Sequence, residues 1–225
     1  MVMVSSLQCK SLWSYNPIPR GCVVYAPLWN PACHGPVFSS IDPFHLTITR
    51  TGGVMDGDGF TVDGDDYMHF TSPLAAGSTF TVNVWFKQTT RQDTRLIALN
   101  LNDGGQQGIC IGIDAGNNYL RVVYDGVAWG DGTFVPTLGS WYMATLVRVA
   151  DVSNLYLNAG AGVISTIDNT PQDSGTEIHI GKGTAPGVAD FFLKGGISEV
   201  GIYNRALSAV ERDYLFAKTY RQTYR

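Results

Sequence analysis

The pattern of apolar and polar positions predicts β-strands along almost the whole chain. The clearest segment is STFTVNVWFKQTT, where apolar side chains from Phe80 to Phe86 recur at every second position, the period of a half-buried strand. Further strand candidates are CVVYAPL, FHLTITRTGGVM, GFTVDGDDYMHF, RLIALNL, GICIGID, YLRVVYDG, SWYMATLVRV, NLYLNAGAG, TEIHIGKG and FFLKGGISEVGIY. Turns rich in Gly, Asn and Asp separate them. This spacing predicts an all-β sandwich or barrel, and 225 residues suffice for one such domain.

The segment GGISEVGIYNRALSAVERDYLF, residues 195 to 216, predicts a strand followed directly by one short helix. Its alternating apolar residues, from Ile197 to Tyr203, suit a half-buried strand. Ser208 and Glu211 have the S-x-x-E spacing of a capping box, in which each side chain binds an otherwise unpaired backbone amide. We therefore expect a helix to begin just after Ser208.

The chain divides into an arm (1–20), one β-domain (21–216) and a tail (217–225). The arm and the tail combine aromatic residues with arginine, a composition that is enriched at protein interfaces. The candidate interface residues are Trp13, Tyr15, Tyr220, Arg221 and Tyr224. They predict self-association or docking to another protein, and the alternative is that both ends are frayed.

Three segments resemble one known family. They are GCVVYAPLWNPACHGPVFSSIDPFHLTIT, GGVMDGDGFTVDGDDYMHF and the closing strand-and-helix segment. Together they resemble the laminin-G-like branch of the concanavalin A-like jelly rolls, with Val62 where Phe is usual and Ser198 where Asp is usual. The resemblance implies a jelly-roll sandwich of two antiparallel sheets with one short C-terminal helix. The sequence of the first segment also resembles single-domain members of the family that occur among bacteriophage virion proteins.

Charge and hydropathy exclude two classes of partner. The chain has 15 Lys and Arg against 19 Asp and Glu, and no basic block could follow a phosphate backbone, so nucleic acid is not expected. No run approaches the roughly 20 apolar residues of a membrane span. The first residues lack the features of a signal peptide, which favours assembly in a host cytoplasm.

The four cysteines, Cys9, Cys22, Cys33 and Cys110, have no CxxC spacing. We predict buried free thiols, because an unpaired cysteine behaves as a small apolar residue. A bridge from Cys9 to Cys22 or Cys33 remains the alternative in an oxidising compartment.

The acidic residues do not indicate catalysis. Glycoside hydrolysis uses two carboxylates flanking the scissile bond, yet none of the three glutamates, Glu177, Glu199 and Glu211, has a second acid two or four positions away on its strand. No G-x-S-x-G motif occurs. The four histidines are scattered one per segment and predict no zinc site. The sequence therefore predicts that the protein is not an enzyme.

Calcium is the one cofactor that the sequence suggests. Acidic turns between Asp56 and Asp66 offer the oxygen ligands that Ca²⁺ takes. The family resemblance implies a structural calcium that joins the Asp42 loop to the closing strand near Glu199, although Ser198 lacks the charge of the usual Asp. The alternative is that these acids cap turns.

A glycan rim is the other candidate site. Sugar binding needs an exposed aromatic ring beside hydrogen-bonding groups. The loop YDGVAWGDG places Trp129 next to Asp125 and Asp131, and NLNDGGQQ adds Asn102 and Asp103. The alternative is that Trp129 folds back onto the edge of the sandwich.

These observations predict a structural or binding module on a virion surface, as a capsid decoration or fibre-associated protein that contacts capsid or tail proteins or copies of itself. The alternative is a secreted, extracellular lectin that binds a cell-surface glycan, and an enzyme is the third possibility.

Overall fold

The alternating segments form strands that stack as two sheets, as the computed structural model of the chain shows. It describes residues 19–42, 44–75, 77–101, 108–124, 128–168, 176–183 and 191–219, with the backbone alone at residues 100 and 101. In chain order the strands are β1 (Cys22–Pro27), β2 (Val37–Ser39), β3 (Thr47–Thr51), β4 (Val54–Asp56), β5 (Gly59–Asp63), β6 (Tyr67–Thr71), β7 (Phe80–Gln88), β8 (Thr94–Leu101), β9 (Ile109–Ile113), β10 (Leu120–Tyr124), β11 (Ala128–Trp129), β12 (Trp141–Val149), β13 (Val152–Leu157), β14 (Val163–Asp168), β15 (Glu177–Ile180), β16 (Lys182–Gly183), β17 (Phe191–Phe192) and β18 (Lys194–Tyr203). A 3-10 turn occupies Pro31–Cys33, and the helix α1 is Ala209–Lys218.

Within these described ranges, two antiparallel sheets of eight strands each enclose the core. The first sheet has the order β14-β13-β12-β7-β18-β5-β4, with β1 also paired to β18. The second has the order β11-β10-β9-β8-β15-β6-β3-β2. One hydrophobic cluster takes buried side chains from both, such as Phe86 from the first sheet and Ile111 and Ile178 from the second. The predicted sandwich of two antiparallel sheets with one short C-terminal helix is confirmed.

Strand β7 is buried on both faces, which its one-sided alternation does not predict. On the face away from the core, Trp85 stacks on Phe216 of α1, with ring centroids 5.5 Å apart and planes at 14°. Asn83 Nδ2 on the same face donates a hydrogen bond to Thr145 Oγ1 at 2.9 Å. Leu215 of α1 joins Trp85 in a second buried cluster. The helix therefore covers part of the outer face of the first sheet.

Strand β18 occupies the middle of the first sheet although it is the last described strand. It pairs with β7 on one side, and on the other side first with β5 and then with β1. Its register against β7 shifts between Ile197 and Glu199, so Ser198 is the extra residue of a β-bulge. Because alternate residues face opposite sides of a sheet, the extra residue turns Glu199 away from the core face that Ile197 occupies.

The capping box predicted at Ser208 and Glu211 is confirmed. Glu211 Oε2 accepts a hydrogen bond from the Ser208 amide at 2.9 Å, and Ser208 Oγ accepts one from the Glu211 amide at 3.4 Å. Arg205 donates to both carboxylate oxygens of Glu211, at 3.0 and 2.5 Å. The hydrogen bonding from Arg205 is the main reason why the pKa of Glu211 falls to about 2.

Cys22, Cys33 and Cys110 are buried free thiols, as predicted, and Cys9 lies outside the described residues. Burial is the main cause that raises the pKa of Cys22 and of Cys33 to about 12. Thiols with such pKa values stay protonated at neutral pH and react slowly.

The described helix is too short to cross a bilayer, and no helix in the described ranges meets the length and hydropathy of a membrane span.

We predict that Glu211→Gln lowers the thermal midpoint by a few degrees at pH 7, since a helix cap contributes about 1 kcal/mol. The folded-state pKa of about 2 lies below the ordinary value of 4.5, so this stabilisation is present above pH 4.5 and is lost as the pH falls toward 2. Thermal unfolding followed by circular dichroism from pH 7 to pH 2 measures both effects. Asp213→Asn removes the same charge from an exposed position of α1 and should leave the thermal midpoint unchanged at each pH. Identical curves for Glu211→Gln and the wild type would contradict the prediction.

Candidate functional site

Trp129 lies at the edge of the second sheet and leaves part of its ring open to solvent. It pairs with Val123 of β10, and 44% of its surface is exposed. The fully buried guanidinium of Arg95 lies 4.7 Å from the Trp129 ring centroid and 4.2 Å from that of Phe191. Cation–π attraction of this kind fixes one side of the ring. Trp129 is therefore an ordered, half-exposed aromatic surface.

A second arginine approaches the same ring. Arg121 Cζ lies 5.7 Å from the Trp129 ring centroid, and Arg121 Nη2 forms an ion pair with Asp114 Oδ2 at 2.5 Å. The side chains of Arg121 and Asp114 are only 14% and 13% exposed. Because Arg95 is buried and Arg121 is paired, the indole ring is the group that this part of the surface presents.

A cleft of about 290 Å³ opens next to Asp131, two residues after Trp129. Its lining residues are Asp131, Thr133, Val163, Ile164, Ser165 and Thr166. Gly130 permits a close approach to β14, since a Cβ there would lie 2.6 Å from Ser165 Oγ. Carboxylate and hydroxyl groups, together with Val163 and Ile164, thus line an opening between the segment that follows β11 and the edge strand β14. We call Trp129 and this cleft the Trp129 rim.

Of the five residues predicted for a glycan rim, Trp129 and Asp131 belong to the described structure. Asp125, Asn102 and Asp103 lie outside the described residues, as do the candidate interface residues Trp13, Tyr15, Tyr220, Arg221 and Tyr224. Their roles stay predictions. The hydroxyl groups of the cleft come mainly from β14 and were not predicted from the sequence. The adjacent Ser165 and Thr166 in a strand segment are the pattern that could have indicated them.

Asp42 and Glu199, the predicted calcium ligands, are both buried and both hydrogen bonded. The Asp42 carboxylate accepts hydrogen bonds from the amides of Tyr25, at 2.9 Å, and Phe44, at 2.8 Å. Glu199 Oε2 accepts one from the Trp29 indole at 3.4 Å, and the Tyr25 hydroxyl also hydrogen bonds to Glu199. Burial, and then the charge of Glu199, raise the pKa of Tyr25 well above its usual value. The two acids therefore hold β1 against the loop after β2 and against β18.

Three carboxylates converge elsewhere, in the turn between β5 and β6. Among the residues that the structure describes, Asp63, Asp65 and Asp66 form the group of three or more metal-binding side chains whose ligand atoms lie within 4.8 Å of one another. Asp66 already accepts hydrogen bonds from two backbone amides, at 2.6 and 3.0 Å. Asp42 and Glu199 belong to no such group among the described residues. A calcium ion between them stays a prediction.

His69 and His179 lie opposite each other, although the sequence shows them as isolated histidines. They are paired residues of β6 and β15, with ring centroids 6.0 Å apart. The Glu177 carboxylate contacts both, at 3.7 Å from His69 Nδ1 and 3.0 Å from His179 Nε2. Burial is the main cause that lowers the pKa of His179, and the hydrogen bond with His179 is the main cause that lowers the pKa of Glu177.

We predict that Asp42→Asn destabilises the protein by about 1–3 kcal/mol, and equally in calcium chloride and in EDTA. Asparagine offers one acceptor oxygen in place of two, so one buried amide loses its partner. Urea unfolding in both buffers measures the change. Asp65→Asn, at an exposed position, is the charge-matched control and should stay within about 0.5 kcal/mol of the wild type. If Asp42 held a calcium ion, the difference in the free energy of unfolding between variant and wild type would instead be larger in calcium chloride than in EDTA.

A family model described as the concanavalin A-like lectin/glucanases superfamily matches residues 62–211. No curated protein matches the sequence.

Solved structures share the fold at low sequence identity. Trypanosoma rangeli sialidase in complex with 2,3-difluoro-KDN has a TM-score of 0.68 and 17% identity, and the match covers 88% of this chain but only 33% of the sialidase chain. Domain 4 of AbnA, a GH43 extracellular arabinanase from Geobacillus stearothermophilus, in complex with arabinotriose, has a TM-score of 0.57 and 18% identity over 86% of this chain and 97% of that one. The binding domain of botulinum neurotoxin serotype D has a TM-score of 0.61 and 12% identity over 87% of this chain and 50% of that one.

These structures overturn the prediction that the protein is not an enzyme, because chains named as a sialidase and as part of an arabinanase share its fold. The prediction rested on the lack of two acids along one strand, yet catalytic groups can come from different elements that meet in space. Identities of 17% and 18% show the fold alone and identify no catalytic residue.

Proposed function

This chain belongs to the concanavalin A-like lectin/glucanase superfamily, and on that premise we propose that it binds carbohydrate at the Trp129 rim. The observation that carries the proposal is that Trp129 is 44% exposed, that its ring packs against the buried Arg95, and that it lies two residues before Asp131, which lines a cleft with Thr133, Ser165 and Thr166. The function proposed is recognition of a glycan chain at the surface of the sandwich.

The rim combines the two kinds of contact that a sugar makes. The face of a pyranose or furanose ring presents C–H groups that pack on an aromatic ring, while its hydroxyls need hydrogen-bonding partners. Trp129 supplies the first, and Asp131 and Thr133 beside it supply carboxylate and hydroxyl oxygens for the second. Since Arg95 already holds the indole, little side-chain freedom is lost on binding.

The similar structures support the proposal at the level of the fold. The AbnA domain was solved with arabinotriose, and Trypanosoma rangeli sialidase was also solved with sialic acid. Those sugars belong to those proteins, and at such low identity the positions of their sites do not transfer to this chain. The AbnA domain, of which 97% matches, supports only the statement that this type of sandwich accommodates sugars. The match covers 33% of the sialidase chain and does not extend that statement to sialic acid.

A virion-surface role stays a prediction from the sequence resemblance. The relatives named above include no virion protein. Glycan binding is compatible with that role and with the alternative of a secreted lectin, since both need attachment to a cell surface. A capsid decoration or fibre-associated protein would in addition bind purified capsids or tails, or form oligomers of a defined mass.

A glycan array probed with the wild type and with Trp129→Ala tests the proposed site. We expect saturable binding to at least one glycan, and a decrease in affinity of about tenfold or more in the variant, because a central Trp contact typically contributes above 1.4 kcal/mol. Trp129→Phe should keep part of the affinity, since it retains a ring. Mass spectrometry of the bound glycan after incubation shows whether it is also cleaved.

Phe44→Ala is the matched control, because Phe44 is an exposed aromatic residue, 58% accessible, in the loop between β2 and β3. It should leave the affinity unchanged. Equal affinities for Trp129→Ala and the wild type, with both proteins folded, would exclude the rim as the binding site.

A further inference from the structure

Two imidazoles and a carboxylate converge on the outer face of the second sheet. Ile178 and Ile180 of β15 point into the core, so the alternating residues Glu177 and His179 point away from it. His69 is the direct partner of His179 on β6 and therefore shares that face. We propose that His69, Glu177 and His179 form a binding site for a divalent transition-metal ion.

Each carboxylate oxygen of Glu177 lies near one of the two imidazoles at about the spacing of neighbouring metal ligands. Zn²⁺ binds imidazole nitrogen and carboxylate oxygen at about 2.0–2.2 Å, so neighbouring ligand atoms of a tetrahedral site lie about 3.4 Å apart. The two nitrogen–oxygen distances here lie on either side of that value and involve different oxygens: His179 Nε2 lies 3.0 Å from Glu177 Oε2, and His69 Nδ1 lies 3.7 Å from Glu177 Oε1. The carboxylate therefore already lies at ligand distance from both rings.

One ring must rotate before the two can share the ion, because the ligand atoms of His69, Glu177 and His179 do not all lie within 4.8 Å of one another. When two imidazoles bind one ion tetrahedrally, each ring centroid lies about 3.2 Å from it and the centroids lie about 5.3 Å apart. The centroids of His69 and His179 are 6.0 Å apart. The side chain of His69 is 32% exposed and that of His179 is 13% exposed, so His69 is the ring with room to turn. This rotation is the step that brings the third ligand into place.

The chemistry of the three groups favours a transition metal over calcium. Imidazole nitrogen suits zinc, copper and nickel, whereas calcium takes oxygen ligands. The lowered pKa of His179 keeps its ring neutral at pH 7, and a neutral imidazole is the form that binds a metal. The ammonium of Lys182 lies nearby, 4.7 Å from the Tyr67 ring centroid, and its positive charge disfavours binding of a cation. The negative charge of Glu177 offsets this repulsion. Three protein ligands leave a fourth position for water.

Isothermal titration of the full, untagged chain with zinc chloride at pH 7.5 tests the site. We expect one saturable site in the wild type, and binding at least about tenfold weaker in His179→Ala and in Glu177→Gln. Binding should weaken as the pH falls, because a protonated imidazole does not bind a metal. Co²⁺ should give the intense visible absorption of a four-coordinate ion in the wild type and not in His179→Ala.

Two control variants separate this site from other ligands. His45→Asn removes an exposed histidine whose positive φ of 49° asparagine tolerates, and Asp65→Asn removes a charge from the acidic turn. Both should bind zinc as the wild type does. Circular dichroism in EDTA establishes that each variant is folded, and Glu177→Gln, at a 41% exposed side chain, remains informative if His179→Ala does not fold. Absence of saturable binding in the wild type, or equal affinity in the wild type and in both site variants, overturns the proposal.

Discussion

The pairing of β18 on both of its edges is the interaction on which the rest of the structure depends. β18 binds β7 along one edge, and divides its other edge between β5 and β1 at the Ser198 bulge. The bulge keeps Ile197 and Val200 in the core while Glu199 faces the opposite side, where it reaches Trp29 and Tyr25. Without the extra residue, the alternation would carry a buried carboxylate into the apolar cluster, where an unpaired charge is strongly unfavourable.

The outer faces of the two sheets have different roles. The helix packs on the first sheet, where the Trp85–Phe216 stack and the buried Leu215 exclude water. The outer face of the second sheet instead carries polar and aromatic groups at two separate places, Trp129 on β11 and the histidine pair on β6 and β15. Because β10, β9 and β8 separate β11 from β15, the two proposed sites do not compete for the same residues.

The sequence predicts local features well and contacts between distant segments poorly. The capping box at Ser208 follows from four neighbouring residues, and the alternation in β7 identifies the inner side chains. The stacking of Trp85 on Phe216 could not be predicted, because it depends on where α1 docks. The same holds for the His69–His179 pair, since 110 positions separate its members and only the strand order β15-β6 brings them together. The rim is an intermediate case, because Trp129 and Asp131 are close in sequence while Arg95 and Ser165 are not.

The central position of β18 also bears on how the chain is made. A ribosome delivers β7 and β5 long before residues 194–203 emerge, so for most of synthesis these two strands have edges with unpaired amides and carbonyls facing solvent. Such edges can pair with those of other nascent chains, and contacts between distant segments form slowly. The first sheet can therefore be completed only after translation has passed Tyr203, and until then β7 and β5 keep an open edge.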